Sequence, residues 1–401
     1  MSNQSKILVL NLGSSSIKFA LFDTDGARYD RLAAGVFEEI GRNSRVAYDC
    51  EGNKGELEQS FPSHEAGMYF LEELLTSKTY CRVIEDASEI DAIGHRVVHG
   101  GDEITRPSLI DDRVITVIDE CEAFAPLHNP VNLRGIRIAA EVFPGKPQVA
   151  VFDTAFHATI PDSAKTYGLD RKYFHDGIKK YGFHGTSHHY VTLEAARMLG
   201  VAPDEVNLIT CHLGNGSSIA AVEKGKSIET SMGFTPLEGL MMGTRSGDMD
   251  PAAILYVMKN EGLTPDETET WLNKKSGMYA LAGIESSDMR QIWDAADAGN
   301  QQATLALEAF AHRVGKYIGA CSWHLKGNYD LVFTGGIGEN DWRTRELILQ
   351  GHEASGIILD TQANRSNESV ITTPDSPRKA LVIHTDEELM IARSTYDTVK
   401  G

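Results

Sequence analysis

The sequence predicts an α/β protein of two lobes, each opened by the same β-hairpin, and three observations carry that expectation. The first is an internal echo. Residues 6–11 (KILVLN) read as a buried strand that passes through Gly13-Ser14-Ser15-Ser16 into a second strand at 17–22, then into the polar turn 23–26. Residues 207–212 (NLITCH), 213–218 (LGNGSS) and 219–222 (IAAV), followed by the turn 223–226, repeat that order. In both copies a short apolar strand enters a glycine and serine hairpin, returns, and meets a polar turn leading to a third strand. Two unrelated hairpins are the alternative, because the shared motifs are short. The second observation is the alternation of helical and strand patterns. Leu305, Leu307, Phe310, Ala311, Val314, Tyr317, Ile318 and Cys321 recur close to a helical period over 303–325, and GNYD then returns the chain to a strand at 331–333. The third is length, since 401 residues suit two domains.

The remaining elements follow in order. A strand at 150–152 ends at Asp153, and the domain boundary is expected at 150–155. A helix is expected at 187–199, with Ser187 as its N-cap and Gly200 at its end. Thr344 opens a helix running to 350, residues 362–379 with Pro374 and Pro377 form a surface loop, 380–383 are apolar, and Glu387 and Glu388 begin the last helix. All four tryptophans fall in the second half, so the two lobes have diverged in packing.

Composition excludes several functions. Lys and Arg total 38 against 57 Asp and Glu, a formal net charge of -19, which disfavours wrapping nucleic acid or lying on anionic lipid. A few arginines can still reverse the potential within one cleft for a small anionic substrate. The five cysteines, Cys50, Cys81, Cys121, Cys211 and Cys321, are widely spaced without a CxxC and read as buried thiols of a reducing compartment. The apolar run near the N-terminus is too short for a signal-peptide core, and no stretch has the length of a membrane span, so a cytoplasmic location is expected.

Three glycine-rich loops follow apolar strands, at 11–16, 212–218 and 334–340 (TGGIGEN). Such loops bring successive N–H groups and small hydroxyls within reach of a phosphate, and a helix N-terminus behind one adds a favourable field. Neither GxxxxGK[ST] nor a strand-borne GxGxxG is present, so a nucleotide must be held another way, in a cleft between the lobes. Lys18 is either a phosphate lysine or an ordinary residue of the returning strand.

Arginine suits planar, bidentate recognition of carboxylate and phosphoryl oxygens. Arg96 sits in GHRVVHGG (94–101) and Arg245 in MGTRSGDMDP (242–251), both beside glycine; a structural ion pair, as with Asp248, is the alternative. His95 and His99 lack the features of a zinc pair. Asp153, at the end of its strand in VFDTAFH, has the place of a magnesium or water-orienting acid and equally that of a helix cap. His184, between Phe183 and Gly185, is either a donor to an anion or a satisfied core histidine. Glu387 is compatible with function and with simple stabilisation of a helix dipole.

At this point the chain resembles the acetate kinase family of short-chain acyl kinases, within the acetate and sugar kinase, Hsp70 and actin superfamily. The resemblance is carried by NLGSSSIKF, GHRVVHGG, FAPLHNP, VFDTAFH, YGFHGTSH, CHLGNGSS, ETSMG, TPLEGLMMGTRSGD and FTGGIGEN, spread over essentially the whole sequence. It implies a two-lobed actin-like (ribonuclease H-like) ATPase fold with a duplicated β-β-β-α-β-α-β-α core. The N-terminal lobe would be residues 1–152 with 385–401 packing back on it, and 153–384 the nucleotide-binding lobe. It implies Arg96 and Arg245 on the carboxylate and transferring phosphoryl group, His184 on that phosphoryl group, and Asn11, Asp153 and Glu387 around magnesium (manganese is an alternative) and the nucleophile. Lys18, His212, Leu213, Gly214, Asn215 and Gly216 would serve the phosphates. Asp288, Met289, Arg290, Gly336, Ile337, Gly338 and Asn340 would serve the adenosine, and Val98, Leu127, Phe183 and Pro236 the acyl methyl. Reversible transfer from ATP to acetate by a homodimer is the implied activity, with a propionate kinase as the alternative and a nucleotide-driven chaperone or filament subunit as the rival of another class. The chain departs from the family pattern in two places: the usual opening NCGSSS reads NLGSSS, and PTNEE reads HTDEE, which places His384 and Asp386 before Glu387 at the metal end.

Overall fold

The computed structural model describes residues 4–126 and 128–401. They divide into two compact units, the chain up to Ala155 with Asp386–Gly401, and Phe156–Thr385. The first junction lies at the end of the boundary expected at 150–155 and three residues beyond the lobe limit of 152 that the family resemblance implied, and Asp153 thereby belongs to unit 1.

Unit 1 is built on an eight-stranded sheet. In chain order its strands are β1 (Ser5–Gly13), β2 (Ser16–Thr24), β3 (Tyr29–Glu38), β4 (Arg45–Cys50), β5 (Asn53–Glu58), β6 (Ala92–Val97), β7 (Ser108–Leu109) and β8 (Gln148–Phe152), arranged β5-β4-β3-β2-β1-β6-β8-β7. β1, β2 and β3 are antiparallel, whereas β1, β6 and β8 run parallel. Apolar residues on one face, among them Leu8, Leu10, Phe19 and Leu21, pack on the helices His64–Thr76 and Asn129–Val142. On the other face Ile7, Val9, Phe22, Val149 and Val151 meet Ile391 and Ala392 of the C-terminal helix Glu387–Lys400. Burial on both faces explains why these strands read as continuous apolar runs.

Unit 2 holds β9 (Leu208–Leu213), β10 (Ser217–Glu223), β11 (Lys226–Thr230), β12 (Asp330–Thr334) and β13 (Ala380–Val382) in the order β11-β10-β9-β12-β13. The order β3-β2-β1-β6-β8 in unit 1 matches it strand for strand: an antiparallel hairpin and third strand on one side, two parallel strands on the other. The echo in the sequence is thus a duplicated sheet topology. The long helix Gln301–His324 buries Ala306, Leu307, Phe310 and Val314 against this sheet, and Gly185–Leu199 buries Val191, Ala195 and Ala196 on the other face.

Four expectations are corrected. The helix of 187–199 begins at Gly185, with His184 as its N-cap residue and Ser187 buried inside it. The TGGIGEN segment is a helical turn, Gly335–Asn340, and the helix behind it starts at Trp342. Residues 362–379 are not simply a surface loop, since Asn364 and Ile371 are fully buried. Finally, Cys50 and Cys81 are joined in a disulfide, because the end of β4 and the turn after the first helix bring their Cα atoms to 5.7 Å; Cys121, Cys211 and Cys321 are buried thiols. Among the described residues no helix is long and apolar enough to cross a membrane.

Candidate active site

In unit 1 the polar residues gather at the carboxyl ends of the parallel strands, where open α/β sheets bind ligands. Leu10 of β1 pairs with His95 of β6, so Asn11 and Arg96 follow on adjacent strands. Val97 pairs with Phe152, and the Asp153 N–H donates to the Val97 carbonyl at 2.9 Å. The Asp153 carboxylate accepts from Arg96 Nε at 3.0 Å and Nη2 at 2.7 Å, and Glu387 approaches the same Nε at 3.7 Å. Burial opposes the Arg96 charge, but Asp153, Glu387 and Glu388 outweigh it and hold the guanidinium above its ordinary pKa. Burial raises the Glu387 carboxyl; Arg96 and Lys18 pull it down, while Asp153 and Asp386 push it up. Glycine at position 94 is a packing requirement rather than turn chemistry, since Thr395 and Ile391 of the C-terminal helix occupy the place of its side chain. The Asp153 and Glu387 carboxylates flank Arg96, and Asn11 lies on the adjacent strand; hard oxygen donors of this kind are the chemistry that magnesium takes, with its remaining positions filled by water. Among the described residues no group of three or more His, Cys, Asp and Glu has the arrangement of a metal site.

In unit 2 the site is built around the β9–β10 loop. His184 is an N-cap residue held at φ 55°, a left-handed conformation that a histidine adopts at a cost and that swings its ring over the loop. Its ring lies 4.3 Å from that of His212. A methyl group placed on Gly216 would come within 3.3 Å of His184 Nε2 and 3.5 Å of Arg245 Nη1, so both nitrogens converge on the open face of this glycine. Arg245 donates to the Pro236 carbonyl at 3.1 Å and has no carboxylate partner among the described residues. Burial alone lowers its pKa from the ordinary value. The suspected pairing with Asp248 does not occur, because Asp248 accepts from the Gly239 N–H and the Tyr317 hydroxyl.

The same loop leads into a cavity of about 700 Å³ lined by Gly214, Asn215, Asp288, Met289, Arg290, Gly336, Ile337 and Asn340, all of them expected nucleotide contacts. That volume suits a nucleotide. Leu213, Gly338, His212 and Lys18 do not line it. Leu213 is a core residue, Gly338 is a buried residue of the helical turn, and Lys18 belongs to unit 1, paired with Asn11 across β1 and β2. Phe183 is buried at 1% exposure, Val98 in unit 1 at 7%, and Leu127 lies outside the described residues.

Several residues of this region were not singled out from the sequence. Trp293, Trp342 and Arg343 line the cavity, with the Arg343 guanidinium stacked 4.0 Å over Trp293. Arg345, fully buried, donates to the carbonyls of Gly338 at 2.8 Å and Glu339 at 3.0 Å and to Asn364, which holds the C-terminal end of the GGIGEN turn. Glu339 accepts from the N–H groups of Gly335 and Thr385 and pairs with His384 at 2.8 Å. Asp386 caps the C-terminal helix through the Leu389 N–H and pairs with Arg31 at 2.5 Å. His384 and Asp386 of the altered HTDEE segment therefore each have a partner of their own.

A duplicated hairpin core with an uncompensated arginine, a histidine and a nucleotide-sized cavity on glycine loops defines an ATP-dependent phosphotransferase. The Acetokinase family matches residues 6–393. The chain is 48% identical over 401 residues to acetate kinase of Thermotoga maritima, covering 98% of this chain and 99% of that protein. The crystal structure of Porphyromonas gingivalis acetate kinase superposes with a TM-score of 0.91 at 43% identity over 98% of this chain and 100% of the other. A propionate kinase structure from Francisella tularensis gives a TM-score of 0.91 at 42% identity over 98% and 99%. The chain belongs to the acetokinase family.

Proposed function

We propose that this protein transfers the γ-phosphoryl group of ATP reversibly to acetate, giving acetyl phosphate and ADP by direct in-line displacement. The observation that carries the reading is the convergence of His184 Nε2 and Arg245 Nη1 on Gly216, beside a nucleotide-sized cavity. A half-buried guanidinium without a carboxylate calls for an anion, and a phosphoryl group supplies one. Acetate is already anionic and needs no general base. One of its oxygens forms the new bond to phosphorus as the bond to the bridging oxygen of ADP breaks, and the catalytic task is to relieve repulsion between anions. Asp153 occupies Nε and one Nη of Arg96, which fixes the fork and leaves further N–H donors for the acceptor carboxylate. Asn11, Asp153 and Glu387 would hold a magnesium ion, which supplies charge neutralisation of the phosphates when bound.

Hydroxylamine trapping of the acyl phosphate tests the reading: trapped product should require ATP, acetate and a divalent ion together. ATP hydrolysis indifferent to acetate would instead favour a nucleotide-driven clamp. The propionate alternative draws support from the similarity to the Francisella propionate kinase. Val98 fills space that an additional methylene would need, and this favours acetate. We also infer a homodimer, supported by Leu255, Tyr256, Leu305 and Trp323 of unit 2, large apolar side chains left exposed. Light scattering on the eluted protein should give twice the mass of the chain.

A further inference from the structure

Behind the His184 ring runs a row of buried side chains that the transfer step, as described, does not use. Ser218 Oγ lies 2.9 Å from His184 Nδ1 and 2.7 Å from His188 Nε2. The other nitrogen of His188, Nδ1, lies 2.7 Å from Thr210 Oγ1. His188, Thr210 and Ser218 are all fully buried. Burial, reinforced by neighbouring His157 and His212, lowers the pKa of His188 well below its ordinary value, so its ring is neutral and carries one N–H.

A hydroxyl donates one hydrogen and a neutral imidazole donates one, so this row has to be polarised in one of two directions. In the first, Thr210 O–H donates to His188 Nδ1, His188 Nε2–H donates to Ser218 Oγ, and Ser218 O–H donates to His184 Nδ1. The proton of a neutral His184 then sits on Nε2. In the second, every bond is reversed, and the Thr210 hydroxyl must turn to the Ala220 carbonyl 3.4 Å away. The first places that hydrogen on a 2.7 Å bond, the second on a 3.4 Å bond, and hydrogen bonds weaken steeply over that range.

We propose that Ser218 and His188, anchored by Thr210, fix His184 as the Nε2–H tautomer, so that it donates a hydrogen bond to the transferring phosphoryl group without first being protonated. Ser218 and His188 are positioning residues, acting through His184. The inference rests on the phosphoryl role given to His184. It also gives a function to the second histidine and the last serine of the GFHGTSH and GNGSS motifs, which the assignment of substrate contacts leaves idle.

The direct test is two-bond proton–nitrogen correlation NMR on the full-length protein labelled with ¹⁵N-histidine. His184 should report a protonated Nε2 in the wild type and lose that preference in Ser218→Ala. The same variant should lose kcat by roughly tenfold, the factor carried by one hydrogen bond, with a much smaller change in KM for ATP. His188→Gln offers an amide donor toward Ser218 and a carbonyl acceptor toward Thr210, and should retain far more of kcat than His188→Leu. If the wild-type ring is protonated at Nδ1, or if Ser218→Ala leaves the tautomer unchanged, the proposal is overturned. Should Ser218→Ala fail to fold, the wild-type spectrum and the His188 pair still decide it. His184→Ala with undiminished kcat would remove the phosphoryl role itself while leaving the tautomer result untouched.

Discussion

Arg96 in unit 1 and Arg245 in unit 2 sit in opposite electrostatic surroundings. Arg96 is held by Asp153 in a bidentate pair with Glu387 beside it, whereas Arg245 is half-buried with only a carbonyl and a thioether as partners among the described residues. The first arrangement is balanced within the protein. The second is complete only when an anion arrives. In the proposed reaction the balanced carboxylates would serve the metal and acceptor end, and the unbalanced cation the phosphoryl group, whose negative charge it would meet at little cost in rearrangement.

The sharpest way to break this comparison is to truncate each arginine. Arg245→Ala and Arg96→Ala should each lower kcat by about 100- to 1000-fold, the typical loss of one preorganised donor. Their stabilities should part company. Arg96→Ala leaves the buried Asp153 carboxylate without its cation and with the half-buried Glu387 nearby, and should cost roughly 2 kcal/mol in urea unfolding. Arg245→Ala removes an uncompensated charge while losing side-chain packing, and should change stability by less than about 1 kcal/mol. Equal stability losses would mean that the two sites are electrostatically alike. His184→Ala comes next, with kcat reduced by more than about tenfold and KM for ATP raised by less, because the contact strengthens as the phosphoryl group leaves. Unchanged kcat with weaker nucleotide binding would place His184 outside the transition state.

Val98→Ala sharpens the acceptor side. The ratio of kcat/KM for propionate over acetate should rise by about 4-fold from one methylene's transfer energy, and by up to about 100-fold if valine also clashes with the longer chain. A level ratio would mean that Val98 does not face the acyl group. The smallest effect concerns the altered HTDEE segment. Asp386→Ala removes a helix N-cap and the Arg31 pair, and should cost about 1 kcal/mol of stability, read from thermal unfolding.

What the sequence revealed in these regions follows from how local the signals are. The duplicated hairpins, the parallel strands and the glycine loops are written in short stretches of alternating or continuous apolar residues, and they appear in the structure with their ends moved by only a few positions. Ser187 reads as a helix cap because serine commonly is one; its hydroxyl is instead bonded to His212 and Thr385, and the helix starts earlier, at Gly185 behind His184. GGIGEN reads as a loop because its glycines disfavour helix. It is helical because Glu339 accepts from the N–H at its start and Arg345 binds the carbonyls at its end. Both supports come from tertiary contacts, as do the Cys50–Cys81 pairing and the burial of Asn364. Arg96 and Arg245 stand out in the sequence as candidate site arginines, but their contrasting surroundings depend on Asp153, Glu387 and Asp248, whose spatial roles no local pattern encodes.

The central contrast is tested most directly by measuring kcat against magnesium concentration for Asp153→Asn beside Arg245→Ala. The carboxylate variant should have its midpoint displaced to higher magnesium, and Glu387→Gln should follow it. Arg245→Ala should keep the wild-type midpoint and reach a plateau roughly 100-fold or more lower. A wild-type midpoint in Asp153→Asn, or a displaced one in Arg245→Ala, would contradict the division of labour between the balanced and the unbalanced arginine.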